Sequence, residues 1–189
     1  FTKMKKGVDG RAYMVEYLTK ETHRRRAEGG GQDMFSQFAT ATRENGSLLP
    51  VDEVVDHMSF LMMAAHDTIT SSATSLLYHL AVQSEWQEKM REAIFAVTGG
   101  PDADGKPRPL DYDDLGKLEL TEMIFKEVLR VIPPVPSMPR RALRDFEFGG
   151  YHIPAGQMVG INIHWTHHSD EYWDDPYAFD PMRFTPDKV

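Results

Sequence analysis

An acid and an alcohol lie next to each other inside the longest apolar-periodic segment of the chain. Asp67 and Thr68 follow Ala64, Ala65 and His66. A carboxyl and a hydroxyl group are costly to bury unless they are paired or functional, and the two alanines leave room for another group to approach the helix closely. The pair is therefore a candidate functional site, and small polar residues at a crossing of two helices are the alternative that this segment leaves open.

A second candidate site combines residues of opposite charge. Glu127 and Arg130 are three residues apart in a helical pattern, so they share a face and can form an ion pair. This spacing is common and carries little information alone. Downstream, however, Arg183 lies in a loop that proline makes rigid, within the sequence FDPMRF of residues 179–184.

Three histidines raise the possibility of a metal site. His164 and His168 are four residues apart with His167 between them, which would suit a zinc site if the segment were helical. No carboxylate completes a persuasive ligand set, and the sequence contains no cysteine. We therefore interpret them as surface or packing histidines and predict no metal ligand in this chain.

The elements that must position these residues are mainly helical in the first two thirds of the chain. The sequence predicts five helices, of which the first is polar and is ended by the glycines at residues 29–31. They span residues 13–27, a short stretch from Asp33, and residues 51–83, 85–97 and 113–130. The third is apolar nearly all round at residues 59–65, which indicates burial through a domain centre. From Arg140 the pattern changes to short strands joined by turns.

Composition and charge exclude several classes of function. Hydrophobic residues make up 41% and charged residues 26% of the chain, as in soluble globular proteins. The net charge of -8 disfavours binding to nucleic acid. A basic cluster, residues 23–26, is interpreted as the solvated end of a helix. The sequence has no apolar run of about 18 residues, and no signal peptide.

Taken in order, these motifs resemble the cytochrome P450 family. Residues 64–68 (AAHDT) look like the oxygen-activating segment of the family's long central helix. Residues 126–130 (KEVLR) resemble its E-x-x-R motif, and residues 181–184 (PMRF) resemble its P-x-R-F motif. The turn-rich stretch 139–156 resembles the sheet that follows the E-x-x-R helix.

The resemblance implies a mainly α fold with a long central helix, several packed helices and small β-sheets in the C-terminal half. Residues 1–189 would form an incomplete single domain, helical to about residue 134, with strands and the irregular P-x-R-F region after it. The cofactor would be haem b (iron protoporphyrin IX), held in the family by a cysteine thiolate from a loop after the P-x-R-F segment. Because the chain lacks that cysteine, we expect a fragment that is inactive by itself.

The resemblance also implies roles for the first candidate site. Thr68 would hydrogen-bond near the distal oxygen of iron-bound dioxygen, and Asp67 would feed protons from solvent, in a helix that is kinked and locally opened. Ala64 and Ala65 would border the cofactor and the oxygen groove. His66 could line the proton relay, but packing is the preferred interpretation.

For the second site, the resemblance implies a buried charge network behind the haem. Glu127, Arg130 and Arg183 would form it and fix the loop that carries the cysteine. Arg140, or alternatively its neighbour Arg141, would pair with a haem propionate, since a guanidinium group suits a carboxylate.

The implied reaction inserts one atom of dioxygen into an organic substrate, with electrons from a partner such as ferredoxin and its reductase. The apolar side chains of Met62, Met63, Val135 and Met138 suggest a hydrophobic substrate such as a lipid, terpenoid or sterol. A cytoplasmic enzyme of bacterial type is expected, although an N-terminal anchor stays open. The alternatives are a non-catalytic truncated relative with a structural or interaction role, and an unrelated helical regulator, which explains none of the motifs.

Overall fold

The computed structural model describes residues 2–188, which form two compact units that join in sequence between Asp67 and Thr68. The first unit contains three helical elements. They are α1 (Lys3–Ala27), α2 (Met34–Thr40) and the first part of α3 (Val51–Val82). The predicted helices over 13–27, from Asp33 and over 51–83 are therefore present, and α1 begins ten residues earlier than predicted.

The first unit is held together by a small apolar core between its helices. Leu18 of α1, Phe35 of α2 and Val54 and Val55 of α3 are buried against one another. The start of α2 is fixed by Asp33, whose side chain accepts a hydrogen bond from the backbone N–H of Ser36 at 3.1 Å.

The basic cluster at the end of α1 joins helices rather than ending in solvent. Arg25 donates to the carboxylate of Asp33 at 2.6 Å and to the hydroxyl of Ser36 at 2.6 Å. Arg26 donates through Nε to the backbone oxygen of Ala39 at 2.7 Å. The Ser36 hydroxyl and the Arg25 guanidinium hold the pKa of the Asp33 carboxyl well below its usual value. The interpretation as a solvated helix end is therefore wrong for Arg25 and Arg26.

The prediction that α3 is buried near residues 59–65 is also wrong, because these residues are largely exposed within the described chain. Phe60, Met62 and Met63 are all more than half exposed. The reason is that α1 and α2 pack against the face of α3 that carries Val54 and Val55, and no other described element of the first unit covers the remaining faces.

The second unit contains the rest of α3 and all later elements. The helices are α4 (Ser84–Thr98), α5 (Tyr112–Leu115), α6 (Glu119–Val131), α7 (Ile163–His167) and a 3-10 helix (Pro181–Phe184). The predicted single helix over residues 113–130 is wrong, because α5 and α6 are separate. Asp111 and Asp114 form a reciprocal capping box at the start of α5, which ends at Leu115 before Gly116.

Two small antiparallel sheets follow α6. Strand β1 (Ser137–Arg141) pairs with β4 (Met158–Asn162), and β2 (Phe146–Phe148) pairs with β3 (Tyr151–Ile153). The expected mainly α fold with small sheets in the C-terminal half is confirmed. None of the helices within residues 2–188 combines the length and the hydropathy that a bilayer-spanning segment requires.

Candidate functional site

A buried ion pair lies on one face of α6. Glu127 is fully buried and Arg130 is 2% exposed. The guanidinium group binds the carboxylate with two parallel hydrogen bonds, Nε to Oε2 at 2.7 Å and Nη2 to Oε1 at 2.8 Å. The three-residue spacing on a helix allows this geometry, and the bidentate form is the strong one.

The remaining donors of Arg130 bind backbone carbonyls from distant parts of the chain. Nη1 donates to the oxygens of His167 and Pro176, both at 2.7 Å, and Nη2 donates to the oxygen of Ala178 at 3.1 Å. With the two bonds to Glu127, all five N–H donors of the guanidinium group have a partner. The side chain therefore fixes two separate backbone segments against α6.

The carboxylate of Glu127 has partners of its own. It accepts a hydrogen bond from the backbone N–H of Asp180 at 2.8 Å. Arg183 places its Nε 3.6 Å from the same carboxylate, an ion pair without a hydrogen bond. The other guanidinium nitrogens of Arg183 donate to the backbone oxygens of Asp174 and Asp175. The structure thus brings together the three charged residues that the sequence suggested.

Aromatic rings and histidines close this cluster. The ring of Trp173 lies 5.2 Å from the guanidinium carbon of Arg130. His167 faces the backbone oxygen of Arg130 through Nδ1 at 3.2 Å, and burial lowers the pKa of His167 below its usual value. His164 and His168 stack on each other with ring centroids 4.2 Å apart, and Nδ1 of His168 lies 2.9 Å from the backbone oxygen of His164.

The opposite face of α6 borders an apolar groove. At about 100° per residue, Phe125 and Leu129 lie on the side of the helix away from Glu127 and Arg130. They line a groove of about 370 Å³, and Thr68 forms part of its other wall. The further lining residues are Ile69, Ser72, Ala73, Leu76 and Pro134.

The acid beside Thr68 has a different environment. The side chain of Asp67 is 85% exposed, and its carboxylate lies 2.9 Å from Nδ1 of His66, which is 77% exposed. The preferred interpretation of His66 as a packing residue is therefore wrong. Helical structure also continues without a break through Ala64 and Ala65, because alanine favours the helix that a glycine would loosen. The expected local opening is absent.

Arg140 and Arg141 are both exposed on β1, on opposite faces of the strand. Arg140 lines a second groove, of about 260 Å³, together with Phe146 and Val159. It donates to the oxygen of its neighbour Pro139 at 2.9 Å and pairs with no carboxylate among residues 2–188. Arg141 donates instead to the backbone oxygen of Gly156 at 3.1 Å. Arg140 is therefore the one of the two whose side chain faces a groove.

Sequence reasoning missed His79 and Phe179, whose rings stack at 4.7 Å beside the charge cluster. It also missed every backbone partner of Arg130. No sequence pattern identifies a carbonyl ligand, because every residue has one. The histidine did carry a signal, since it is a polar residue within the apolar repeat of α3.

Comparisons with known proteins give a consistent result. The family model "Cytochrome P450" matches residues 1–189. The chain is 36% identical over 180 residues to cytochrome P450 136 of Mycobacterium tuberculosis, covering 95% of this chain and 35% of that protein. It is 32% identical to a human ultra-long-chain fatty acid omega-hydroxylase, covering 96% and 38%. The structure of a cyanobacterial CYP120A1 with retinoic acid bound superposes with a TM-score of 0.77 at 30% identity, covering 93% and 39%.

Replacing Glu127 with glutamine tests the energetic weight of the buried pair. Glu127→Gln leaves the buried guanidinium group of Arg130 without its counter-charge, and we expect the free energy of unfolding to fall by about 3–5 kcal/mol. Urea denaturation followed by circular dichroism measures it. The control is Glu122→Gln on the same helix, where an exposed carboxylate pairs with Lys126 at 2.9 Å and the loss should stay under about 1 kcal/mol. Equal losses for the two variants would refute this account.

Proposed function

The chain belongs to the cytochrome P450 family, and on that premise we propose that the whole protein is a monooxygenase that inserts one atom of dioxygen into a hydrophobic organic substrate. The chain spans 35% and 38% of the two curated relatives compared above, so this activity belongs to the whole protein. The observation that supports the proposal most directly is the groove between Thr68 and the apolar face of α6, which has the charge cluster behind it.

The residues of this groove suit a haem. A large, flat and mostly apolar macrocycle needs apolar walls, and Ile69, Leu76, Phe125 and Leu129 provide them. Arg140 lines the second groove and not this one, and it is proposed as the partner of a haem propionate because the resemblance implies it and a guanidinium group suits a carboxylate. When bound, haem supplies the iron at which dioxygen is activated. The sequence has no cysteine, so a thiolate ligand to that iron would come from residues outside this sequence.

The proposed roles of Asp67 and Thr68 are proton transfer and proton placement. Thr68 lines the groove, and its hydroxyl would hold a proton toward the reacting oxygen. The carboxylate of Asp67 is exposed and can exchange protons with solvent, and His66 lies within hydrogen-bond distance of it. Ala64 and Ala65, one turn earlier in the sequence of α3, are proposed to border the cofactor, as the resemblance implies.

The proposed role of Glu127, Arg130 and Arg183 is to hold the backbone that would lead toward a loop carrying the haem ligand. Their partners extend from His167 to Asp180. Rigidity of this backbone matters because the groups around a metal ligand fix its orientation and thereby set the properties of the metal.

For electron supply, we propose a ferredoxin and its reductase in the cytoplasm. The match to a bacterial relative supports this choice, as does the negative net charge, which gives no attraction to anionic lipid.

The role of Thr68 predicts a specific loss on substitution. In the haem-loaded whole protein, Thr68→Ala should lower the rate of substrate oxidation by on the order of 10²-fold, because a positioned proton donor contributes that much. The matched control Thr68→Ser keeps the hydroxyl and should retain most of the rate. The measurement is the rate at which product forms, with oxygen-18 labelling to show that the inserted atom comes from dioxygen. Full activity of Thr68→Ala would rule out the role.

We also propose a lipid-like substrate. The supporting observations are the exposed apolar side chains of Met62, Met63 and Val135 and the relatives, one named for an ultra-long-chain fatty acid and one solved with retinoic acid.

Optical titration of the haem-loaded whole protein checks this proposal. Retinoic acid and a long-chain fatty acid should bind at least about 10-fold more tightly than glucose, because burial of apolar area drives the binding. Preference for the sugar would exclude a lipid-like substrate.

A further inference from the structure

His79 on α3 is a buried histidine without a hydrogen-bond partner among the described residues. Its side chain is 9% exposed, and neither ring nitrogen has a partner within residues 2–188. A buried polar group that makes no hydrogen bond costs free energy. Some other interaction must therefore account for an imidazole at this position.

The ring of His79 is held by aromatic contacts. It stacks on Phe179 with a centroid distance of 4.7 Å and an interplanar angle of 9°. The ring of Tyr78 meets it edge-on at 5.4 Å. One contact is a parallel stack and the other is edge-on, and neither is a hydrogen bond to a ring nitrogen.

Phe179 lies between two residues whose backbone groups hydrogen-bond to the buried ion pair. The residue before it, Ala178, offers its backbone oxygen to Arg130. The residue after it, Asp180, donates its backbone N–H to Glu127. A change in the position of the Phe179 ring would therefore move both of these backbone groups.

We propose that His79 is a positioning residue for the buried ion pair: its stack on Phe179 holds the 178–180 backbone where it binds Glu127 and Arg130. The stack also connects α3, which carries Thr68, to the 178–180 segment, which in turn binds α6. The inference deepens the proposed function, on which it rests for its catalytic meaning, but the contacts themselves can be tested without activity.

Burial without a hydrogen-bond partner disfavours the charged form of the His79 ring, so its contribution should depend on pH. Burial lowers the pKa of His79, and the negative charge of Glu127 on α6 partly opposes this. On the segment of Phe179, the carboxylate of Asp180 binds the N–H of Met182. Because the folded-state pKa lies below the unfolded value, the unfolded chain binds the proton more readily. The contribution of His79 to stability is therefore fully present above the unfolded-state pKa and is lost as the pH falls through the lowered folded-state pKa.

Hydrogen exchange of the Asp180 amide tests the proposal, because that N–H reports the position of the backbone directly. The amide of Ile132, bonded to Val128 at the end of α6, serves as the internal reference for unfolding of the helix. Three variants of the full chain are compared with the original: His79→Phe keeps a flat ring, His79→Leu keeps apolar volume without one, and His79→Ala removes both.

At neutral pH we expect His79→Leu and His79→Ala to speed exchange of the Asp180 amide by about 10-fold relative to Ile132, and His79→Phe to retain protection. As the pH falls through the lowered pKa of His79, the original chain should lose protection at Asp180 while His79→Phe does not. If His79→Ala unfolds, the amides of Asp180 and Ile132 will exchange at the same rate, and the result for His79→Leu then tests the proposal.

Full protection in His79→Leu, or pH dependence that His79→Phe retains, would overturn the proposal. Neither result depends on haem or turnover, so failure here is distinct from failure of the monooxygenase proposal.

Discussion

The buried ion pair of Glu127 and Arg130 is the interaction on which the second unit depends. A guanidinium group that is 2% exposed must satisfy all its donors within the protein, and those of Arg130 do so with one carboxylate and three backbone oxygens. The requirement works in both directions. The charge is tolerated because the irregular C-terminal segment supplies its carbonyls, and that segment is ordered because the charge needs them. A buried ion pair of this kind favours one arrangement of the backbone around it and adds little to the net free energy of folding.

Helix α6 connects this constraint to the chemistry. One of its faces holds the ion pair, and the other lines the apolar groove that includes Thr68. A single rigid helix therefore fixes two features together: the backbone that leads toward the proposed ligand loop, and the wall against which the proposed cofactor would lie. Loss of the ion pair should accordingly disturb the groove, although no member of the pair borders it.

Sequence reasoning succeeded where the information is local. The spacing of Glu127 and Arg130 predicts their pairing, and Asp33 marks the start of α2 by its capping side chain. It failed where the outcome depends on partners that sequence does not display. The short helix before α6 begins at a capping box formed by two aspartates and ends at Leu115, before Gly116. The role of Arg25 depends on a neighbouring helix, and the exposure of Met63 depends on which elements are present to cover it.

The most direct test of the account is the reduced carbon monoxide difference spectrum of the haem-loaded whole protein, for the original and for Arg130→Lys. Lysine has three donors and cannot reproduce the five-donor set. Arg91→Lys, at an exposed pair with Glu88, is the control. We predict the absorption band of a thiolate-ligated haem for the original and the control, and its loss in Arg130→Lys. An undiminished band in Arg130→Lys would contradict the claim that this buried pair organises the site.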